Sequence, residues 1–449
     1  MAIALIVAAV VAPFWYWDGG LIEIEATQFV QNYLADRPVL AHVFDPRRND
    51  INTYQARELS YFADYLDSRI FAWLAGRGTW IFIPASALAA SLLSIGVFMR
   101  GARRAGTPSL TASLLLLIYF TNYVHLVTTG MLYRSAKPLL VPLVITTTFA
   151  LAALLRRQRS DDVRDRWAPL LLFLLLCAMS LLDRQGFFMA VVAFGATMYG
   201  ALWMSTRRDI VFAAAAAVVT MVLYDLALGP WLVERINGYR PSFDYQRIPI
   251  AVLVTDVTPW LRAGKLLLSA AATLFGGLPT WAPVLAVVLA LGLARGRLSP
   301  HTRTLTVLCA LVFGGQLAMF AAMVVRHPPI YEYIDHRLWY YPLPFQALLT
   351  TVLAIAAAFL RIDAWHPYRR LVLHAVLMAV IVSNVTSWNE HERRQLRSRW
   401  FPDVVEQNEA LKATIADGRL RWYLTPEYRG FYTFLSRRRG EADARAGAR

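Results

Sequence analysis

The sequence predicts an all-α protein that crosses a membrane about 11 times. Its 449 residues are 57% hydrophobic and only 17% charged, with a mean hydropathy of +0.43. A soluble domain carries roughly a quarter charged residues, so the apolar excess indicates lipid burial. The apolar runs are long enough to span the hydrocarbon core. Helices are expected because every backbone polar group must be satisfied internally in lipid.

Short arginine-rich turns separate the apolar runs and predict the orientation of the chain. Turns such as Arg100–Arg104 and Arg156–Arg166 are expected to stay in the cytoplasm. The N-terminus is then cytoplasmic, while the first loop, residues 18–78, lies on the outer side. The predicted spans lie near residues 2–17, 79–99, 108–125, 138–155, 168–182, 187–204, 210–229, 304–325, 342–360 and 371–387.

Residues 264–294 follow an outside loop and precede an inside one, so they must cross an odd number of times. Pro279 would break a helix within this stretch. We expect one crossing near 280–295, preceded by a surface or half-inserted helix at 265–275. The chain then divides into a membrane domain, 1–387, and a small outer C-terminal segment, 388–449, with a predicted helix at 402–416.

The first outer loop is much longer than a connection requires, which favours a functional role. An amphipathic helix is predicted from Tyr54 to about Leu74, with Asn52 or Thr53 as its N-cap. Such a helix would lie along the membrane surface with its polar side toward an aqueous pocket. The predicted apolar face carries Leu59, Phe62, Ala63, Leu66, Ile70 and Trp73, and the polar face Arg57, Ser60, Tyr61, Asp64 and Ser68.

The same loop supplies three candidate acids and several arginines. Asp45 and Asp50 precede the predicted helix, and Glu58 follows Arg57 in its first turns. A carboxylate above an arginine-lined pocket could accept a proton from an attacking hydroxyl. The arginines could hold a phosphate in bidentate geometry. The alternative is that Asp50 caps the helix and Arg57 is merely solvated.

Two further outer turns carry charges close to hydrocarbon. One has Arg134 and Lys137, and the other is the turn Asp183-Arg184-Gln185. Charges in such positions are costly and are functional candidates by default. For the second turn the alternative is a tight interfacial loop with an internal Asp–Arg pair.

A last outer loop places Arg337 beside Asp335 and ahead of an aromatic run, Trp339–Pro342, that includes Tyr340. Arg337 is a candidate for phosphate binding. The aromatic run is either an interfacial belt or a platform on which a sugar stacks.

Several function classes are disfavoured by the sequence. The net charge of +15 comes mostly from arginines at span boundaries, which argues against a nucleic-acid-binding surface. Histidines and cysteines are scattered, so no metal site is predicted, and no nucleotide-binding fingerprint is present. Energy for any reaction must therefore arrive with the substrate.

Three pieces of the sequence, Asp50–Asp67, Tyr133–Lys137 and Asp183–Gly186, occur in a topology of one span, a large outer loop and many further spans. In these features the chain resembles the GT-C membrane glycosyltransferases. It is most similar to the branch of protein O-mannosyltransferases and aminoarabinose transferases and to its bacterial relatives. The resemblance covers about the first 390 residues.

This resemblance implies a polyprenyl-phosphate-linked sugar as donor, a glycan, lipid or protein as acceptor, and a bacterial inner membrane as location. It implies an inverting transfer with Asp50 as the base, and with Asp45 and Glu58 as its rivals. No cofactor is expected; some members use a divalent metal, which the absence of an outer DxD motif disfavours here. The residues expected to bind substrate are Tyr54, Arg57, Arg134, Lys137, Asp183, Arg184, Gln185, Arg337 and Tyr340.

Two other functions stay open. A transporter or flippase of a lipid-linked or anionic solute should carry ionisable groups deep within its spans. Asp225, after Tyr224, is the one candidate for such a group. The third reading is a scaffold that binds the lipid-linked sugar without turnover.

Overall fold

The computed structural model describes residues 5–10, 38–45, 54–75, 77, 85–131, 136–156, 167–203, 207–241, 250–275, 300–326 and 342–399. Every regular element within these residues is helical, which confirms the predicted all-α class. Outside them lie Asp50, Arg134, Arg337, Tyr340, the crossing predicted near 280–295 and the helix predicted at 402–416.

The helices follow one another with short connections. They are α1 Val39–Val43, α2 Glu58–Ala75, α3 Ala85–Ala105, α4 Ser109–Thr121, α5 Tyr123–Met131, α6 Ala136–Arg156, α7 Ala168–Leu182, α8 Arg184–Trp203, α9 Arg208–Leu223, a π-helical turn Tyr224–Leu228, α10 Gly229–Asn237, α11 Ile250–Thr255, α12 Thr258–Leu274, α13 Pro300–Arg326, α14 Pro342–Phe359, a 3-10 turn Ile362–Ala364 and α15 Pro367–Arg399.

Six of the described helices are long and apolar enough to cross a membrane. They are Ala85–Ala105, Ala136–Leu155, Arg184–Trp203, Arg208–Asn237, Pro342–Phe359 and Pro367–Ser387. Large apolar side chains on their outward faces, such as Phe212 at 71% and Leu371 at 65% exposure, have no protein neighbour to cover them. Such surfaces are stable in lipid and not in water. The protein is therefore a helical membrane protein, and the total of 11 crossings stays a prediction.

The bundle is built from helices packed side by side around a common apolar core. Helix α6 lies against α3 and α14, and α7 lies against α8 and α9. Buried aliphatic side chains such as Leu140, Val144 and Leu176 fill the space between them. Apart from this packing, Thr107 donates a hydrogen bond to the carbonyl of Ala354, at the ends of α3 and α14. These contacts fix the helix ends that carry the charged turns.

Helix α2 begins at Glu58, four residues later than predicted, because residues 54–57 are non-helical. The prediction of Asn52 or Thr53 as its N-cap was therefore wrong. Asp67 on this helix instead accepts hydrogen bonds from the backbone N–H and the hydroxyl of Ser86, at 2.9 Å and 2.5 Å. A carboxylate in the first turn of α3 also complements the positive end of its dipole.

The two faces of α2 are arranged in the sense opposite to that of a helix in a soluble protein. The polar residues Ser60, Asp64 and Ser68 are buried against the protein. Leu66 and Trp73, by contrast, are 45% and 57% exposed. A helix with its polar side inward and its apolar side outward suits a membrane surface.

Helix α12 runs continuously from Thr258 to Leu274, so it is longer than the surface helix predicted at 265–275. One face is buried, through Leu266, Ala270 and Leu274 among others. The opposite face exposes Leu261 and Leu268. Its C-terminal end lies beside α15, where Asn384 donates a hydrogen bond to the carbonyl of Leu274 at 3.1 Å.

Candidate functional site

Charged side chains from four separate segments meet near the beginning of α2. The segments are residues 54–58, the first turn of α6, the turn between α7 and α8, and the π-helical turn after α9. We call the group the charged cluster. Its members are Arg57, Glu58, Lys137, Asp183, Arg184 and Asp225.

The turn between α7 and α8 is a single residue long. Asp183 is extended there, and its carboxylate accepts a hydrogen bond from the backbone N–H of Gln185 at 2.9 Å. It thereby acts as the N-cap of α8. Gly186 is required beside it, because a Cβ at this position would lie 1.8 Å from the carbonyl oxygen of Met179. These two local features hold Asp183 and Arg184 in fixed directions.

Asp183 binds two cations that come from distant parts of the chain. Its Oδ1 lies 2.5 Å from Nζ of Lys137, and its Oδ2 lies 3.2 Å from a terminal nitrogen of Arg57. Burial alone would raise the pKa of Asp183, but attraction to Lys137 and Arg57 lowers it to about 2. The carboxylate is therefore ionised and links the first loop to α6 and to the α7–α8 turn.

Glu58 and Tyr54 form the second part of the cluster. The hydroxyl of Tyr54 donates a hydrogen bond to Oε1 of Glu58 at 2.6 Å, and both side chains are buried. Oε2 of Glu58 is also buried and accepts no hydrogen bond from the described residues. Burial raises the pKa of Glu58 to about 7, even though hydrogen bonding from Tyr54 lowers it. Such a carboxyl can exchange a proton near neutral pH.

Tyr54 itself stays protonated. Burial and the nearby Glu58 raise the pKa of its hydroxyl far above the ordinary value. The hydroxyl is therefore a permanent donor to the carboxyl, and it fixes the direction in which Oε2 of Glu58 is left available.

Asp225 completes the cluster from within a candidate span. It lies in the π-helical turn, and its Oδ1 accepts the backbone N–H of Ala56 at 3.2 Å. It also interacts electrostatically with Arg184 and with Glu58. Sequence reasoning considered Asp225 only as a sign of transport. The available signal was that it is a lone acid in an otherwise apolar run.

The structure brings together seven of the residues predicted from the sequence. They are Tyr54, Arg57, Glu58, Lys137, Asp183, Arg184 and Gln185. The ion pairs of Asp183 are made with Lys137 and Arg57, so the expected pair within the loop is not its principal contact.

Asp45 lies on a different contact, at the end of α1. Its carboxylate accepts a hydrogen bond from the hydroxyl of Tyr239 at 2.6 Å, and Asn237 donates to the carbonyl of Phe44 next to it. These bonds attach the first loop to the end of α10. Among the described residues, no group of three or more His, Cys, Asp or Glu side chains could hold a metal ion.

Comparisons with protein-family models, with curated proteins and with solved structures found no match for this chain. The class of protein is therefore defined by the fold and the cluster alone: a helical membrane protein with a buried charged cluster at the ends of several helices.

Proposed function

We propose that the protein is a membrane glycosyltransferase that uses a polyprenyl-phosphate-linked sugar as donor. The observation that carries the proposal is the convergence of three cations, Arg57, Lys137 and Arg184, with the proton-exchanging carboxyl of Glu58. A phosphodiester donor requires cations to bind its phosphate, and an acceptor hydroxyl requires a base.

In the proposed reaction, the acceptor oxygen bonds to the anomeric carbon while its proton passes to a first-loop carboxylate. The bond from the anomeric carbon to the phosphate oxygen breaks, and the polyprenyl phosphate leaves with the bonding electrons. Attack from the side opposite the leaving group inverts the configuration. The guanidinium and ammonium groups stabilise the negative charge that develops on the phosphate.

Glu58 is the base that we propose, because it lies in the charged cluster and has a buried oxygen without a hydrogen-bond donor. Asp45 is engaged by Tyr239 at another contact. Asp50 lies outside the described residues and remains the competing assignment. Asp183 holds Lys137 and Arg57 in place through both of its oxygens.

The membrane arrangement in this proposal has about 11 crossings and places the cluster at the outer face of a bacterial inner membrane. The N-terminus is cytoplasmic, and the segment 388–449 is outside. The inverted faces of α2 support this arrangement, since its apolar side would lie in the same leaflet as the lipid chain of the donor. The acceptor is a glycan, a lipid or a protein.

The decisive experiment uses purified protein in nanodiscs with a short-chain polyprenyl-phosphate sugar and a panel of hydroxyl acceptors. We expect Glu58→Gln to retain donor binding and to lose transfer by about 10²-fold or more, as for loss of a general base. Arg184→Gln should weaken donor binding about tenfold, since a charge-assisted contact to phosphate is lost.

Asp209→Asn is the matched control, because Asp209 pairs with Arg207 near the start of α9, away from the cluster. It should leave binding and transfer unchanged. Normal transfer by Glu58→Gln together with loss in Asp50→Asn would move the base to Asp50. Absence of donor binding to the unmodified protein would end the proposal.

A transporter or flippase is the second candidate, and the position of Asp225 favours it. This acid lies in the π-helical interruption of a candidate span and is close to Glu58. Interrupted helices with ionisable groups are typical of transport sites. Flux of a lipid-linked or anionic solute into proteoliposomes, without any glycosylated product, would support this function over transfer.

A further inference from the structure

The π-helical turn and the first residue of α10 form a receptor surface for the segment that precedes α2. The backbone N–H of Ala56 is bound by Asp225 at 3.2 Å. Tyr54 and Ala56 are buried together with Met221 and Val233, from the helices on either side of the turn. The segment 54–57 has no helical hydrogen bonds of its own, so these contacts position it.

Gly229 is the sharpest feature of this surface. A Cβ at position 229 would lie 1.9 Å from the hydroxyl oxygen of Tyr54 and 2.2 Å from its Cζ. Both distances are far shorter than any contact between non-bonded atoms, so a side chain at 229 and Tyr54 in its observed place exclude each other. Tyr54 in turn donates to Glu58, so its position determines that of the carboxyl.

We infer that Asp225 and Gly229 are positioning residues, and that docking of residues 54–58 onto the turn 224–229 assembles the charged cluster. In the docked arrangement Arg57 reaches Asp183 and Glu58 lies against Tyr54. In an undocked arrangement Arg57 and Glu58 would leave Lys137, Asp183 and Arg184 behind. The catalytic consequence of docking rests on the proposed function, whereas docking itself does not.

The π-helical geometry explains why this turn can serve as a receptor. A π-helical turn contains an extra residue relative to an α-helix, and it frequently marks a functional position. Here it presents Asp225 toward Ala56 while the helix continues into α10. The lone acid of the span thereby satisfies a buried backbone donor of another segment, which an α-helical register would not guarantee.

Docking can be measured without any substrate by cysteine labelling of detergent-purified protein. Both native cysteines, Cys177 and Cys309, are replaced by alanine, and Ala56→Cys is introduced as the reporter. We expect slow reaction with a hydrophilic maleimide while residues 54–58 are docked. Asp225→Asn and Gly229→Ala should each raise the labelling rate about tenfold, because a hydrogen bond to a charged group or the steric fit is lost.

Gly195→Ala is the matched control for Gly229→Ala, since a Cβ at 195 meets nothing within 4 Å. Asp209→Asn is the control for Asp225→Asn. Only monodisperse protein is compared, so a misfolded sample is not scored. Asp225→Asn differs from the native side chain by one group of the same size, and it tests docking even if Gly229→Ala does not fold.

The reaction itself gives a second readout that a general loss of stability would not produce. Asp225→Asn removes a negative charge near Glu58, so the acid limb of the transfer rate should move to lower pH. Gly229→Ala should lower the rate without moving that limb. An unchanged labelling rate in Asp225→Asn would overturn the inference. Faster labelling of the variants, with no donor binding by any form of the protein, would keep docking and remove the proposed function.

Discussion

Lys137 and Asp183 form an ion pair of 2.5 Å in which each side chain is only 2% exposed. They lie 46 positions apart in the sequence, and Arg57 joins them from the first loop. Removing a charge from water costs several kcal/mol, so each partner is tolerated only because the other compensates it. The pair therefore makes the stability of the bundle depend on the integrity of the charged cluster.

The first prediction concerns this dependence. Lys137→Met should lower the free energy of unfolding by about 3 kcal/mol, because Asp183 would stay buried with Arg57 alone. The double variant Lys137→Met/Asp183→Leu should be less destabilised than the single one. Thermal unfolding in detergent at fixed pH measures both.

The control for this prediction is the exposed pair of Arg207 and Asp209, whose side chains are 35% and 43% exposed. Arg207→Met should cost less than about 1 kcal/mol, because solvent screens such a pair. A loss from Lys137→Met no greater than that from Arg207→Met would contradict a compensated buried pair.

The second prediction is a pH dependence of stability that comes from Glu58. Its pKa is raised from 4.5 to about 7 in the folded protein, so the folded state holds the proton more tightly than the unfolded state. Below pH 4.5 both states are protonated and there is no penalty. Between 4.5 and 7 the unfolded state ionises first, so stability falls as pH rises, to a total of about 3 kcal/mol above pH 7.

Glu58→Gln removes this ionisation while keeping an acceptor for the hydroxyl of Tyr54. The variant should match the native protein near pH 4 and exceed its stability above pH 7. Unfolding midpoints measured from pH 4 to 8 give the comparison. A constant difference across this range would show that Glu58 does not titrate there.

The sequence predicted the helical class and much of the cluster, for reasons that are local. The apolar length of each run predicts a helix in lipid, and the alternation of Leu66 and Ser68 with their neighbours predicted the two faces of α2. Lys137 and Asp183 were identifiable because charged residues at the borders of apolar runs are costly.

The partners of these residues could not be predicted, because they depend on how the helices pack. The sequence offered Arg184 as the neighbour of Asp183, whereas the folded chain supplies Arg57. Nothing in the run around Asp225 indicates an extra residue in the helical turn, so its approach to Ala56 has no sequence signal. The start of α2 was placed too early because Tyr54 fits the apolar period while binding Glu58 from outside the helix.

The third prediction tests the inverted faces of α2. Ser68 is fully buried and its hydroxyl donates to the carbonyl of Tyr65 at 2.5 Å, whereas Leu66 is 45% exposed. Ser68→Leu should lower stability by about 1–3 kcal/mol, since added volume has no space on the packed side. Leu66→Ser should change the unfolding midpoint in detergent little, because the side chain contacts no protein core. Equal losses from the two substitutions would contradict this assignment of faces.

The fourth prediction concerns Asn384, whose amide nitrogen joins the C-terminal ends of two helices. It donates to the carbonyl of Ile118 in α4 at 3.2 Å and to that of Leu274 in α12 at 3.1 Å. Both carbonyls belong to the last turn of a helix, where intrahelical donors are missing. Asn384→Leu keeps the volume but removes the donor, so it should cost about 2 kcal/mol.

Asn384→Asp separates the donor from the charge. An ionised carboxylate would face two carbonyl oxygens and the negative ends of two helix dipoles, so this variant should be less stable than Asn384→Leu at pH 8. At pH 4 a protonated carboxyl can donate again, and the order should reverse. Thr386→Ala, one turn-neighbour away at an exposed position, should have no comparable effect. If the order of the two Asn384 variants is the same at both pH values, the amide is not acting as the donor that joins α4 and α12.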